Sequence, residues 1–329
     1  MDVSLALNYQ REYWEKMNDE QIETFKDELI NHYRSRGFPY FDIPLDMQKK
    51  ELDKMDRYCK SNRVIENGII KQTMHCLNVA WHYFPHAFDL KCNSGFSPLE
   101  AFNDDILLRK AINKRLKYGS NFTDAMLRKT LKASSGVNAV SNFRPSASRA
   151  IYDKWGGDVV YDPSAGFGGR LLGAISSPKV KHYIACEPST LTFEGLNKIV
   201  ENFGQTKKIT IHKIGSEDFI PNTKVDLVFT SPPYFNNEKY SMESTQSYIK
   251  FPTKQEWLNG FLLKTISNAI SVLKDGGYLI INIANVKSYP NLVQDFLDGV
   301  KEVKLVQELK LQLSKHGGYK YEPVFVFKK

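Results

Sequence analysis

Cysteine is scarce in this sequence, and the four that occur, Cys59, Cys76, Cys92 and Cys186, form no CxxC pair. Their spacing fits neither a disulfide framework nor a common zinc site, so we expect reduced thiols in a cytoplasmic compartment and no bound metal. Long apolar runs are missing too, since no stretch approaches the roughly 20 residues of a membrane span. The first residues, MDVSLALNYQREYWEK, lack the parts of a signal peptide. We therefore predict a cytoplasmic protein that does not enter a membrane.

Acidic residues are nearly absent between Ile106 and Ala150, where Asp124 is the only one among many lysines and arginines. A solvated helix surface normally mixes both signs of charge, so this imbalance favours a polyanionic partner, and nucleic acid is the commonest one. An inert basic surface is the alternative. The predicted phosphate contacts are Arg109, Lys110, Lys114, Arg115, Arg128, Lys129 and Lys132.

The first part of the chain has the pattern of amphipathic helices. They are predicted from residue 18 to 37, from 97 to 119, and from 123 onwards, each with a capping residue at its start. A chain of 329 residues is long for a single core, so a second region is expected beside the main domain. We interpret residues 1–141 as a helical, basic region that recognises the target.

From about Val159 short apolar runs alternate with amphipathic segments, which is the pattern of a parallel sheet with crossover helices. The last two runs are joined by a segment too short for a helix and therefore form an antiparallel hairpin. Residues 142–329 are thus predicted to be a Rossmann-like α/β domain with a seven-stranded, mostly parallel sheet. The predicted strands are VVYD, HYIACE, ITIHKI, VDLVFTS, GGYLIINIAN, KLVQELKLQL and PVFVFKK.

Acidic residues and glycines follow the first three of these strands, and ligands of such sheets bind outside the carboxyl ends of the strands. Asp162 ends the first strand, and Gly166 and Gly168 let the next turn approach a ligand closely. Glu187 ends the second strand, where an acid can accept both ribose hydroxyls of an adenosine, and Asp218 follows the third. Each acid taken singly is equally well explained as a solvated loop carboxylate. Together they favour a nucleoside cofactor.

The fourth strand ends in TSPPYF, in which Ser231, Pro232, Pro233 and Tyr234 follow an apolar run. A tight turn explains a proline and the serine, but not the rest. Both prolines fix φ and lack an N–H, so the turn is rigid and its acceptors stay free for another donor. A proline-rich loop without chemistry is the alternative.

DPSAGFGG followed by TSPPY resembles the paired motifs of the S-adenosylmethionine-dependent exocyclic amino-methyltransferases, which act on adenine N6, cytosine N4 or, in RNA relatives, guanine N2. The resemblance covers residues from about 142 to the C-terminus and implies the class I methyltransferase fold. The family has phenylalanine where this chain has Ser164, and NFRP is similar to a family segment beside the methionine part of the cofactor. The predicted cofactor residues are Phe143, Arg144, Pro145, Asp162, Pro163, Ser164, Gly166, Gly168, Glu187 and Asp218.

The resemblance also implies a role for SPPY. An exocyclic amine is a poor nucleophile because its lone pair is delocalised into the ring. If Ser231 and the carbonyl of Pro232 accept its two N–H bonds, the lone pair points at the methyl group, and positioning is the main contribution. Tyr234 is expected to stack on a base flipped out of the duplex. The long polar loop that follows suits a flap, with Tyr240 as a DNA contact.

These inferences predict an enzyme, a DNA methyltransferase that acts on a flipped base of double-stranded DNA, with cytosine N4 slightly favoured over adenine N6. An RNA amino-methyltransferase shares every motif and stays open. A small-molecule N-methyltransferase would not need the basic region. A non-catalytic nucleic-acid-binding module of the same fold is expected to have lost a cofactor or amine-positioning residue.

Overall fold

The computed structural model describes residues 7–71, 73–92, 94–315 and 318–329. No helix in these ranges is long and apolar enough to cross a membrane. The helices are α1 (Arg11–Trp14), α2 (Asp19–Arg36), α3 (Leu45–Ser61), α4 (Leu77–His82), α5 (Pro98–Asn103), α6 (Asp105–Tyr118), α7 (Asp124–Lys132), α8 (Pro145–Trp155), α9 (Gly169–Ser176), α10 (Thr190–Phe203), α11 (Ser247–Lys250), α12 (Lys254–Glu256), α13 (Lys264–Val272) and α14 (Leu292–Gly299).

The strands are shorter on average, and the described ranges also contain two 3-10 helices and one π-helical segment. The strands are β1 (Asn8–Gln10), β2 (Ile65–Glu66), β3 (Ile69–Ile70), β4 (Asn121–Thr123), β5 (Val159–Asp162), β6 (His182–Cys186), β7 (Lys208–His212), β8 (Val225–Thr230), β9 (Leu273–Asn282), β10 (Lys304–Lys315) and β11 (Gly318–Lys328). The other segments are the 3-10 helices Pro85–Phe88 and Ser216–Asp218 and the π-helical Trp257–Leu263, which joins α12 to α13.

The chain forms two compact units. Among the described residues, the helical unit comprises residues 7–41 together with Pro85–Val140, and the sheet unit comprises Asp42–Phe84 and Ser141–Lys329. The second boundary lies one residue from the predicted one. The sequence predicts that residues 42–84 belong to the helical region, whereas in the structure they are part of the sheet unit, where β3 pairs with β10.

Helix capping shapes the helical unit. Asn18 caps α2 in a capping box with Gln21, as the sequence indicates. The helix expected from residue 97 to 119 is instead divided into α5 and α6. Asp104 causes the break, because its extended backbone ends α5 while its carboxylate accepts the N–H of Leu107 at 2.8 Å and starts α6.

Arg128, one of the predicted phosphate contacts, is buried in the helical unit with 8% of its surface exposed. Its guanidinium lies 3.8 Å from the centroid of the Phe41 ring and donates a 2.5 Å hydrogen bond to the carbonyl of Pro39. A guanidinium held in this way stabilises the unit through a cation–π contact and a buried hydrogen bond. The expected role of Arg128 at a phosphate therefore does not fit its burial.

Three further basic residues are also engaged within the unit. Arg109 forms ion pairs with Glu23 and Asp27 of α2, so acids far away in sequence offset part of the basic run. Arg115 donates to the carbonyl of Asn121 at 2.6 Å. The ammonium group of Lys132 lies 4.8 Å from the ring centroid of a phenylalanine. These contacts correct the expectation that the whole run faces a polyanion.

Lys110, Lys114 and Lys129 are the exposed members of the predicted set, although the ammonium group of Lys114 also donates to the carbonyl of Ala133 at 3.2 Å. Lys110 and Lys114 are one turn apart on α6 and therefore lie on the same face of that helix. Lys129 is exposed on α7. The basic surface available to a polyanion is thus narrower than the sequence indicates.

The sheet has the strand order β2-β3-β10-β11-β9-β8-β5-β6-β7. From β5 to β9 every neighbouring pair is parallel, whereas β11 runs antiparallel to both β9 and β10. This arrangement confirms the predicted α/β fold with a mostly parallel sheet and a C-terminal antiparallel hairpin. The seven predicted strands are all present, but the described sheet has nine, because β2 and β3 extend it beyond β10. The chain leaves β5 towards β6 and returns on its other side as β8, which creates a crevice between β5 and β8.

Replacement of Arg128 tests its structural role. We expect Arg128→Gln to lower the free energy of unfolding by about 2 kcal/mol, because a cation–π contact and a buried hydrogen bond are lost. Its exposed neighbour is the control, and Lys129→Gln should stay within about 0.5 kcal/mol of the wild type. Chemical denaturation of both variants measures the difference. Equal stabilities would show that the Arg128 contacts contribute nothing.

Candidate active site

Phe143, Arg144 and Pro145 precede β5, and the other predicted site residues of the sheet unit lie at the carboxyl ends of β5, β6, β7 and β8 or in the loops that follow. All four strands are parallel, so their carboxyl ends share one edge of the sheet. Two turns flank the crevice between β5 and β8, where the strand order reverses. They are the glycine turn, residues 163–168 after β5, and the SPPY turn, residues 231–234 after β8. The sheet thus brings the two motifs together although about sixty residues separate them.

Asp162, at the end of β5, is 1% exposed, and its carboxylate is hydrogen-bonded to groups of the protein. Its carboxylate accepts from the guanidinium of Arg170 at 2.8 Å, from the hydroxyl of Tyr183 at 2.7 Å and from the backbone N–H of Ser164 at 3.2 Å. Arg170 also donates to the carbonyl of Ser164. A charge buried with this many donors anchors the turn. Asp162 therefore holds the loop, and the expectation of a free carboxylate for the cofactor does not fit.

The glycine turn has an open face and a packed face. Gly166 and Gly168 adopt left-handed φ values of 58° and 72°, which favour glycine. A Cβ on Gly168 would lie 2.6 Å from Ile199, whereas one on Gly166 would have no neighbour closer than 3.9 Å. The left-handed φ and the close packing together favour glycine at position 168, whereas a Cβ on Gly166 would make only ordinary van der Waals contacts.

Glu187 follows β6 directly and is 8% exposed. One carboxylate oxygen accepts from the backbone N–H of Gly166 and the other from that of Ser189, both at 3.0 Å. Burial raises the pKa of this carboxyl to about 7. Each oxygen retains a lone pair for another donor. Glu187 can therefore still accept hydrogen bonds from hydroxyl groups of a ligand.

The loop after β7 carries two neighbouring acids with different environments. The predicted residue, Asp218, forms an ion pair with Lys250, and its side chain is 56% exposed. Glu217 is buried, and its Oε1 lies 2.9 Å from the same ammonium group. Its Oε2 has no hydrogen-bond partner among the residues described. The sequence singled out Asp218, but Glu217 has the acceptor that is still free.

The NFRP segment is pinned against the glycine turn. Asn142 donates to the carbonyl of Phe167 at 2.8 Å. A Cβ on Gly169 would lie 1.8 Å from the carbonyl of Phe143, so only glycine allows this approach. Pro145 begins α8, where a missing N–H costs nothing. This contact explains why the segment lies beside the turn.

Arg144 belongs to the same segment and is half-buried. One terminal nitrogen donates to the carbonyl of Asn142 at 2.9 Å, and burial lowers the pKa of the guanidinium. Within the part of the chain that the structure describes, its Nε is buried without a partner. A buried guanidinium with a free donor is suited to an anionic group of a ligand.

The SPPY turn is rigid and largely buried. Ser231 is half-buried, but Tyr234 is 9% exposed and packs in the hydrophobic core beside Phe235. Phe235 has a left-handed φ of 55°, which is uncommon for a non-glycine residue and marks a constrained turn. Because so little of the Tyr234 ring is accessible, the expected stacking on a flipped base does not fit this arrangement.

The hydroxyls of Ser231 and Tyr234 are both hydrogen-bonded to the side-chain amide of Asn282. Ser231 donates to the side-chain oxygen of Asn282 at 3.2 Å, and Tyr234 donates to the same oxygen at 3.3 Å. Asn282 is the last residue of β9 and is 3% exposed, and its amide nitrogen donates to the carbonyl of Pro323 at 3.0 Å. Asn282 is not among the site residues predicted from the sequence. A polar residue at the end of the apolar run LIIN was the signal for it.

The segment after the turn, residues 236–250, contacts the loops after β5, β6 and β7, and we name it the cover segment. The ring of Tyr240 packs edge-on against Phe167 of the glycine turn, with centroids 5.6 Å apart. Glu243 accepts the backbone N–H and the hydroxyl of Thr190 at 2.9 and 2.8 Å. Lys250 binds the acids after β7. Tyr240, predicted as a DNA contact, is therefore engaged within the protein.

Glu238, also in the cover segment, is hydrogen-bonded to the SPPY turn. It is 9% exposed, and its carboxylate accepts from the backbone N–H of Tyr234 and the hydroxyl of Tyr240. Burial raises the pKa of this carboxyl to about 7.

Across the described ranges, no group of three or more His, Cys, Asp and Glu side chains could hold a metal ion.

Comparison with known proteins gives one family and several distant structures. Residues 225–329, from β8 to β11, match the family model described as DNA methylase. No curated protein matches the chain. Similar solved structures include the N-methyltransferase NodS from Bradyrhizobium japonicum WM9, at 9% identity over 54% of this chain and 89% of that chain, with a TM-score of 0.38.

Two further structures are similar at the same level. An rRNA methylase from Streptococcus thermophilus is 13% identical over 58% of this chain and 99% of that chain, with a TM-score of 0.39. TrmN from Thermus thermophilus is 15% identical over 63% of this chain and 68% of that chain, with a TM-score of 0.41. At these scores the structures carry no argument about the substrate.

The family match includes the SPPY turn and Asn282. It confirms the family predicted from the sequence and, with it, S-adenosylmethionine as the cofactor. The protein is a methyltransferase, and its residues 225–329 are similar to the family described as DNA methylase.

Proposed function

We propose that the protein transfers a methyl group from S-adenosylmethionine to the exocyclic amine of a base in DNA, with cytosine N4 slightly favoured over adenine N6. The observation that carries the proposal is the SPPY turn, in which Ser231 and Tyr234 are held by one amide oxygen beside the glycine turn. The exposed lysines Lys110, Lys114 and Lys129 support nucleic acid as the substrate.

The loops around the crevice carry hydrogen-bonding groups that are not fully used within the protein, and these groups suit S-adenosylmethionine. Glu187 retains acceptors for ribose hydroxyls, and the free Oε2 of Glu217 suits an adenine amine. The buried guanidinium of Arg144 suits the carboxylate of the methionine part. The open backbone at Gly166 permits close approach. When bound there, S-adenosylmethionine supplies a methyl group activated on a sulfonium.

The chain's own residues then position the amine. The hydroxyl of Ser231 is half-buried and its proton is directed at Asn282, so its lone pairs are available to an N–H of the substrate. The carbonyl of Pro232 is the second proposed acceptor, and the prolines keep both acceptors rigid. The cover segment contacts the loops after β5, β6 and β7, and we propose that it shields the crevice from water when substrate is bound.

Cofactor affinity should depend on the ionisation of Glu187. A charged carboxylate accepts ribose hydroxyls more strongly than a neutral carboxyl, and its pKa of about 7 means that the charged form appears between pH 6 and 8. We therefore expect S-adenosylmethionine to bind about tenfold more tightly at pH 8 than at pH 6. Calorimetry at both values measures this, and Glu187→Gln should lose the difference. A variant with the same pH dependence as the wild type would exclude Glu187 from the ribose site.

Replacement of the serine tests the proposed chemistry. Ser231→Ala should slow single-turnover methyl transfer about a hundredfold, because it removes an acceptor that acts mainly in the transition state. The dissociation constant of S-adenosylmethionine should stay unchanged, since the hydroxyl is not assigned to the cofactor. A wild-type rate in this variant would show that SPPY is only a structural turn.

The function itself is tested by product analysis. The purified protein is incubated with S-adenosylmethionine and either duplex DNA or RNA from a methylation-deficient host, and the nucleosides are separated by mass spectrometry. N4-methyldeoxycytidine is the expected product. N6-methyldeoxyadenosine would change the base, methylated RNA would change the substrate, and no methylated nucleoside would overturn the proposal.

The exposed lysines should contact phosphates. Replacing Lys110, Lys114 and Lys129 together by glutamine should weaken binding of duplex DNA and reduce the log-log salt slope by about 0.9 for each lost contact. Lys179→Gln, an exposed lysine of the sheet unit, is the control and should leave the slope unchanged. Fluorescence anisotropy at several salt concentrations gives both slopes. An unchanged slope in the triple variant would mean that DNA binds elsewhere.

A further inference from the structure

The amide of Asn282 can adopt only one orientation. The carbonyl of Pro323 is an acceptor, so the group 3.0 Å from it must be the amide nitrogen. The amide oxygen therefore faces Ser231 and Tyr234, and an oxygen can only accept. Asn282 is 3% exposed, so water does not compete for these bonds.

This orientation determines where the hydroxyl protons point. Burial raises the pKa of Tyr234 well above its ordinary value, so its hydroxyl stays protonated and donates. Both hydroxyls find their acceptors inside this cluster: each donates to the side-chain oxygen of Asn282, Ser231 also hydrogen-bonds the hydroxyl of Tyr234, and Tyr234 also lies 3.5 Å from the backbone carbonyl of Asn282. Ser231 is the more accessible of the two residues, and it then presents only lone pairs to the crevice. A free serine hydroxyl would instead rotate and could offer its hydrogen to the substrate.

We propose that Asn282 is a positioning residue that makes Ser231 an obligate hydrogen-bond acceptor for the amino group of the substrate. This inference rests on the proposed function and names the part of the protein that prepares its acceptor. Asn282 acts through Ser231 and does not touch the substrate. Its effect should therefore disappear when the serine hydroxyl is absent.

A double-mutant cycle measures this dependence. Single-turnover transfer of a tritiated methyl group is followed for the wild type, Ser231→Ala, Asn282→Ala and the double variant, with the DNA or RNA pool that the wild type methylates. We expect Asn282→Ala to be at least about tenfold slower, and the same change to cost less than about twofold in the Ser231→Ala background. A full tenfold further loss in the double variant would overturn the proposal.

Two controls separate positioning from general damage to the fold. Asn291→Ala changes an exposed asparagine of the same unit and should leave the rate unchanged. The dissociation constant of S-adenosylmethionine should change less than twofold in Asn282→Ala. A parallel loss of cofactor affinity would instead indicate a purely structural role.

The conservative variant Asn282→Asp gives a pH-dependent readout. When protonated, the new carboxyl can donate to Pro323 and accept from Ser231, as the amide does. When ionised, it has no hydrogen for Pro323 and repels that carbonyl. The rate of this variant relative to the wild type should therefore fall as the pH rises. A constant ratio across pH would contradict the orientation mechanism.

A double-mutant cycle of unfolding stability tests the hydrogen bond between Tyr234 and Asn282 and requires no measurement of enzyme activity. Tyr234→Phe and Asn282→Ala are combined, and urea unfolding is measured for all four proteins. We expect the unfolding equilibrium constant of the double variant to differ about threefold or more from the product of the single effects. Additive effects would show that the amide does not hold the hydroxyl. Coupling in a protein that methylates nothing would overturn the proposed function while retaining the hydrogen-bonded cluster.

Discussion

The buried ion pair between Asp162 and Arg170 is the contact on which the arrangement of the crevice depends. Removing two charges from water is costly, and it is tolerated here because each group has several hydrogen-bond partners. The pair fixes the chain immediately after β5, and that fixes the start of the glycine turn. Glu187 can then receive the N–H of Gly166, and Phe167 is held where Asn142 and Tyr240 meet it.

Most of the sheet could be predicted from the sequence because its strands are apolar runs of four or more residues with clear limits. Strands β2 and β3 could not, since two residues carry no periodicity. The assignment of residues 42–84 to the sheet unit depends on the pairing of β3, so it was out of reach too. The division at Asp104 was readable in principle, because an acid inside a predicted helix can also cap a new one.

The sequence indicated which side chains surround the site, but not which of them are already occupied. Asp162, Asp218 and Tyr240 were assigned to ligands, yet each has a partner in the folded chain. Arg109 was assigned to phosphates, although its partners lie more than eighty residues earlier, on α2. Counting charges in a window detects a surplus of one sign. It does not detect pairing with distant segments, which decides whether a charge is available.

Availability therefore separates the residues that build the crevice from those proposed to bind there. A buried polar group without a partner costs about 1–3 kcal/mol, so a fold that retains one gains something when a ligand completes it. Among the described residues, the Nε of Arg144 and the Oε2 of Glu217 are such groups. Ser231 differs, because its hydrogen is already used by Asn282 and only acceptor capacity is left. The residues proposed to bind ligands thus offer a free donor that suits an anion, a free acceptor that suits an adenine amine and, at Ser231, an acceptor for the amine proposed to be methylated. An amine that must lose the delocalisation of its lone pair needs acceptors alone, and the contact with Asn282 removes the one hydrogen that would oppose it.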